Sequence, residues 1–267
     1  MQLQRIGKRG LLFSFNDPYF TNVYVIISDE RIFILDTFLG SDSMNQIKDQ
    51  LIHEGYLDWQ IFVFNSHADY DHIWGNRAAN ADIIIGHENC RKRIMDEGEK
   101  SLETYAEHKR GEVVIYPPNI TFTTKLFFPY DKIEFFYSPG HTIDSSSCYD
   151  AIDKVLFVGD NVESPIPYLN HANFEEYLNT LNNYLMMDWK FIVAGHDSIL
   201  TDSKLITQNI EYLTDFRDWK LEPSSMDSVT RHRHINHNLS TIKDELLLGK
   251  QKKQARQHLE DIEKFSH

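Results

Sequence analysis

Apolar residues fall along this chain in short blocks that stop at polar clusters. Leu11 to Phe15, Asn22 to Ser28 and Arg31 to Asp36 are rich in Val, Ile, Phe and Tyr. They predict three strands, with Asp29-Glu30 as the turn between the second and third. Ser41 or Asp42 then offers a helix cap, and Met44, Ile47 and Leu51 recur at helical spacing up to about His53, before Gly55. Ile61 to Phe64 is the next strand, and strand–helix–strand is the rhythm of layered α/β folds. Ala81 to Gly86 predicts another strand. His87 to Met95 and Ser101 to Arg110 predict two helices, parted by the charged run Asp96 to Lys100. Past Pro117-Pro118 a fresh set of β-like runs begins, Thr121 to Thr124, Leu126 to Phe128 and Ile133 to Tyr137, which predicts a second sheet. Lys154 to Val158 and Lys190 to Ala194 are further strands, with a helix from Asn173 to Asp188 between them. From Thr201 the pattern turns helical, with Ile206, Ile210, Leu213 and Phe216 on one face, then Asp244 to Gly249 and a charged tail.

The polar ends of these runs carry the chemistry. Ile61-Phe62-Val63-Phe64 runs into Asn65-Ser66-His67-Ala68-Asp69-Tyr70-Asp71-His72, so two histidines and two aspartates leave one core strand together. Ile133 to Tyr137 ends in Ser138-Pro139-Gly140-His141, Lys154 to Val158 in Gly159-Asp160, and Lys190 to Ala194 in Gly195-His196. Glycine before the polar residue lets the backbone turn sharply and lets other groups approach. A single histidine at a strand end is commonly structural. Four strand ends that each present imidazole or carboxylate point to a metal site held by rigid elements.

Composition narrows the classes. The chain has 267 residues, 41% of them hydrophobic, enough to bury a large core as one domain with an extension. Forty acidic residues against 27 basic ones leave a formal charge of −13, which disfavours nucleic acid as a partner. No apolar run approaches the ~18 residues of a membrane span. Residues 1–10 lack the apolar core of a signal peptide. Cys90 and Cys148 are far apart in sequence, and a disulfide is not expected between them. A cytoplasmic location and a small-molecule substrate are therefore the expectations, with neither nucleic acid nor membrane as a partner and homodimerisation allowed.

His67-x-Asp69-x-Asp71-His72, Ser-Pro-Gly-His141-Thr, Phe-Val-Gly-Asp160 and Val-Ala-Gly-His196, in that order, resemble the metallo-β-lactamase superfamily over roughly residues 10 to 200. The resemblance implies an α/β fold, the αβ/βα four-layer sandwich of two mixed sheets. A metallo-β-lactamase-like domain would span 1–200, and a helical C-terminal extension packed on it would span 201–267. It also implies a ligand set: His67, the residue at position 69 and His141 on one metal, Asp71, His72 and His196 on a second, and Asp160 between them. The family pattern has histidine where this chain has Asp69. An aspartate oxygen reaches about as far from Cβ as the nearer ring nitrogen of histidine, so Asp69 is read as a ligand. The alternative is a weakened first site. The added carboxylate shifts preference from zinc toward iron or manganese, while zinc still accepts oxygen ligands.

The implied chemistry is a binuclear metal-dependent hydrolase that sends a metal-activated hydroxide onto a small ester, lactone, thioester, amide or phosphoester. Two divalent ions are the expected cofactors, zinc first, then iron or manganese. Asp71 would orient the nucleophile as well as bind metal, and Tyr168, in the loop after Asp160, is a candidate catalytic contact. Because the histidines must be neutral to coordinate, activity is expected to fall below about pH 6. A non-haem di-iron redox enzyme, as in the flavodiiron or persulfide-dioxygenase branches, is the alternative, and a non-catalytic metal-binding module is a weaker one. Tyr70 and Trp74 suit either a pocket wall or the core, and Asp144 and Ser145 a structural turn. The stretch Arg231 to His237 lacks neighbouring carboxylates and reads as a solvated or anion-facing segment rather than a metal site.

Overall fold

The computed structural model describes residues 1–56, 59–248, 253, 254, 256 and 257. Strands β1 (Gln2–Ile6), β2 (Gly10–Phe15), β3 (Thr21–Ile27), β4 (Arg31–Leu35), β5 (Gln60–Asn65), β6 (Ile83–His87) and β7 (Ile120–Phe122) form one sheet in that order. β1 to β4 pair antiparallel, and β4 to β7 pair parallel. The second sheet has the order β12-β11-β10-β9-β8, built from β8 (Lys125–Phe128), β9 (Ile133–Tyr137), β10 (Ser146–Asp150), β11 (Val155–Gly159) and β12 (Phe191–Ala194). Only β11 and β12 pair parallel in it.

Alternation along the strands sets the layers. In β2 to β5, Leu11, Phe13, Val23, Val25, Ile32, Ile34 and Val63 face one core with Met44, Ile47 and Leu51 of helix α1 (Ser41–His53). The residues between them, Leu12, Tyr24, Ile26, Phe33, Leu35, Phe62 and Phe64, face a second core with Ile133, Phe135, Cys148, Val155, Phe157 and Val193 of the other sheet. Burial on both faces is why these strands read as unbroken apolar runs. Phe64 stacks on Phe135 with ring centroids 4.4 Å apart.

The chain divides into two compact units. The first comprises Met1–Ser138, Asp144–Gly159 and Asp188–Thr201, and holds both sheets, α1, the short helix α2 (Tyr70–Ile73) and α3 (Glu88–Thr104). The second comprises Pro139–Ile143, Asp160–Met187 and Asp202–His267, so the loops after His141 and Asp160 group with the C-terminal segment. Its helices are α4 (Phe174–Met186), α5 (Lys204–Arg217), α6 (Ser228–His232) and α7 (Ser240–Leu248), with a π-helical stretch, Arg233–Leu239, joining the last two.

Several expectations are corrected. One helix, α3, replaces the two expected around the charged run, and the run is helical within it. Its glycine is a packing device: a Cβ at Gly98 would meet Ile115 Cγ2 at 2.9 Å. β1 and β10 lie outside the strands that the apolar pattern predicts. Four of five residues in β1 are exposed, and Ser146-Ser147-Cys148-Tyr149-Asp150 has little apolar signal. β7 joins the first sheet, not the second. Part of the charged tail lies outside the described residues.

Candidate metal centre

In the first unit β5 ends at Asn65, and the next eight residues form a turn and α2 that present His67, Asp69, Asp71 and His72. The turn is held from below by Asp36, at the end of β4, a residue with φ of 62°. This left-handed conformation is tolerated by aspartate better than by most residues. Asp36 is 1% exposed. Its Oδ1 accepts the Ser66 N–H at 2.8 Å, and its Oδ2 accepts the Ser66 hydroxyl at 2.7 Å and His72 Nδ1–H at 2.7 Å. Since Ser66 spends its proton on Asp36, its oxygen receives Nδ1–H of His67, 2.9 Å away. A buried network of Thr37, Asn65 and Asn76 closes α2 onto β5.

His196 comes from the turn after β12. Asn22 of β3 clamps that turn, donating its side-chain amide to the carbonyls of Ala194 (2.8 Å) and Asp197 (2.7 Å). His196 Nδ1 donates to the Phe20 carbonyl at 2.8 Å. Gly159 sits behind the cluster with φ of 53°, and a Cβ there would lie 2.7 Å from Ser66 Oγ, so the strand end before Asp160 admits only glycine.

The donor atoms are spaced as ligands are. Two atoms each ~2.0–2.1 Å from a tetrahedral ion lie roughly 3.3–3.4 Å apart. His67 Nε2 and Asp69 Oδ2 are 3.4 Å apart, and His196 Nε2 and Asp71 Oδ2 are 3.3 Å apart. His72 Nε2 is 3.8 Å from the same Asp71 oxygen. Asp71, His72 and His196 offer donor atoms within 4.8 Å of one another, a set that can hold a metal ion. The residues present therefore fit a divalent cation.

Asp69 carries a second partner. Arg93 of α3 binds its Oδ1, and the same guanidinium donates to Asp144 Oδ1 at 2.6 Å. Asp144 Oδ2 accepts the Ala68 N–H at 2.8 Å, so the turn role expected of Asp144 is exercised on the His67–Asp69 turn. Beside Asp71 stands an aromatic wall. Tyr19 donates to the Tyr70 hydroxyl at 2.8 Å, Tyr70 is hydrogen-bonded to His108 Nδ1 at 2.8 Å, and Tyr105 stacks on Tyr70 at 4.3 Å. Burial first, then the charge of Asp71, push the Tyr19 and Tyr70 hydroxyls above the ordinary tyrosine range, so both stay protonated. Trp74 is 1% exposed and belongs to the core.

His141, Asp160 and Tyr168 lie in the second unit. His141 Nδ1 donates to the Tyr168 carbonyl at 3.1 Å, and its backbone N–H donates to Asn161 Oδ1 at 2.9 Å. Tyr168 reaches His141 by its carbonyl, while its ring lies under the Arg233 guanidinium at 4.1 Å and against His237 at 4.5 Å. Of the segment expected to be solvated, Arg231 to His237, Arg231, His232 and Asn236 are exposed, Arg233, Ile235 and His237 are half-buried, and His234 alone is buried. Arg233 donates to the carbonyls of Ser164 and Ile166, and His234 is fully buried, 2.9 Å from the Tyr212 hydroxyl.

The family model of the metallo-beta-lactamase superfamily matches residues 16–196. The chain belongs to that superfamily. Among solved structures, the DIM-1 metallo-beta-lactamase aligns with a TM-score of 0.64 at 17% identity, over 80% of this chain and 97% of that one. Metallo-beta-lactamases from Pontibacter korlensis (TM-score 0.61, 15% identity, 80% and 99% covered) and Hirschia baltica (0.61, 12%, 80% and 97%) align similarly. At such identities they share the fold, the αβ/βα sandwich of two mixed sheets, which in this chain carries a helical C-terminal extension. No curated protein is matched by sequence.

Asp36, Arg93 and Tyr19 join the site from outside the sequence motifs. The signal for Asp36 was present, a carboxylate at the end of an apolar strand, the same mark that singled out Asp160. Arg93, within a helix of mixed charge, carried none.

Proposed function

We propose that this chain is a binuclear metal-dependent hydrolase acting on a small ester, lactone, thioester, amide or phosphoester. His67, Asp69 and His141 would hold one ion, Asp71, His72 and His196 the other, and Asp160 would bridge them. Zinc suits a donor set with four imidazoles. The two buried free cysteines suit a reducing compartment such as the cytoplasm.

One observation carries the reading. Nδ1 of His67, His72, His141 and His196 each donates to an acceptor, respectively Ser66, Asp36, the Tyr168 carbonyl and the Phe20 carbonyl. A neutral imidazole so fixed presents its Nε2 lone pair, and metal-ligating histidines are held in this way. Four histidines locked in one tautomer are prepared to bind cations.

When bound, a pair of divalent ions lowers the pKa of water toward about 7 and polarises the oxygen under attack. The protein's part is orientation. Asp71 offers a carboxylate that accepts a proton or hydrogen bond from the attacking water. The protonated Tyr19 and Tyr70 hydroxyls beside it form a polar, aromatic wall for substrate. The test is hydrolysis of a panel of esters, lactones and phosphoesters. Chelation is expected to abolish turnover and added zinc to restore it, with Asp71→Asn lowering kcat by roughly 10²–10⁴-fold. Turnover that survives both chelation and Asp71→Asn contradicts the reading.

A further inference from the structure

Asp69 differs from a histidine at this position in one way that matters to its surroundings: both of its outer atoms are acceptors. The structure uses both. Oδ2 stands 3.4 Å from His67 Nε2, at ligand spacing, and Oδ1 is bound by the Arg93 guanidinium. Arg93 is anchored in turn by Asp144, which is 0% exposed and holds the Ala68 N–H, and on its outer edge by Glu97 at 3.3 Å. Desolvation opposes the guanidinium charge, but Asp69 and Asp144 outweigh it and push its pKa further above the ordinary arginine range.

We propose that Arg93 is the positioning residue of the first metal site, holding Oδ1 of Asp69 so that Oδ2 alone is presented to the ion. Asp69 and Arg93 are then a matched pair. A histidine at position 69 that bound the ion through Nδ1, the atom that reaches as far as Oδ2, would have the C–H of Cδ2 where Asp69 has Oδ1, so the guanidinium would face a group that accepts nothing from it. The carboxylate supplies the acceptor. The guanidinium, shared with Asp144, also offsets part of the charge that the carboxylate adds.

This inference rests on the metal reading above, and its test separates the two. Zinc affinity is measured by chelator competition and zinc content by elemental analysis, in the full-length wild type and in Arg93→Gln, Asp69→Ala, Asp69→Ala/Arg93→Gln, Asp69→His and Asp69→His/Arg93→Gln. Glutamine keeps a donor for Asp144 and loses the fork. Arg93→Gln is expected to weaken one of two zinc ions by roughly 10–100-fold, the range for partners of metal ligands, and to leave the other unchanged. In the Asp69→Ala background the same change is expected to have no further effect on zinc. Asp69→His is expected to bind the first zinc more weakly than wild type, and Arg93→Gln to recover part of that loss. If Arg93→Gln does not fold, by its thermal midpoint, Arg93→Lys carries the same comparison, since a point charge cannot grip both carboxylates.

Wild-type zinc affinity in folded Arg93→Gln overturns the proposal, as does an equal loss with and without Asp69. A wild-type protein that binds no metal overturns the underlying reading instead.

Discussion

Asp36 shows how much of the candidate metal centre depends on a residue outside the proposed ligand set. Its two oxygens accept three hydrogen bonds, from the Ser66 N–H, the Ser66 hydroxyl and His72 Nδ1, and through Ser66 they fix His67 as well. One carboxylate therefore sets the tautomer of a histidine in each half of the proposed ligand set. Asp36→Asn keeps the shape and tolerates the left-handed backbone, yet cannot accept at both outer atoms. Metal affinity is expected to fall roughly 10–100-fold. Competition with a chelator measures it, and an affinity equal to wild type would deny Asp36 this role.

At the scale of elements, the second unit uses its C-terminal segment to hold the loop after Asp160. Asn238 is fully buried. Its amide donates to the Pro167 carbonyl and the Tyr212 hydroxyl, and its oxygen accepts the Leu169 N–H at 3.0 Å. It thus brackets Tyr168, whose carbonyl fixes His141. Glu163 and Asn209 tie the same loop to α5, with Asn209 donating to the Glu163 carbonyl at 2.8 Å. Asn238→Ala leaves buried backbone groups without their partner, a loss of roughly 1–3 kcal/mol. Urea unfolding should register that loss, whereas a change within about 0.5 kcal/mol would place the loop's anchorage elsewhere.

For the whole molecule, the legible parts were those whose period is short and whose apolar content is high. The buried strands β2 to β5 announced themselves, and so did the polar residues at strand ends, because a strand that stops at a histidine or aspartate is visible in one dimension. What stayed hidden has a common cause. β10 is polar in sequence and is recruited by its neighbours in the sheet. The charged run Asp96 to Lys100 is helical within α3, where Gly98 packs against Ile115, a residue beyond the helix itself. Arg93 is 24 positions from Asp69, and nothing local marks it as that residue's partner. Tertiary contacts choose these residues, and a linear pattern does not record them.

The most direct test is metal content, measured by elemental analysis on protein purified without added metal, for wild type and for Asp69→Ala. About two divalent ions per chain are expected in the wild type, in keeping with a two-metal site, and about one in the variant. A wild type with one ion or none, unchanged by Asp69→Ala, would mean that Asp69 is no ligand and that the two-metal hydrolase proposed for this chain is wrong.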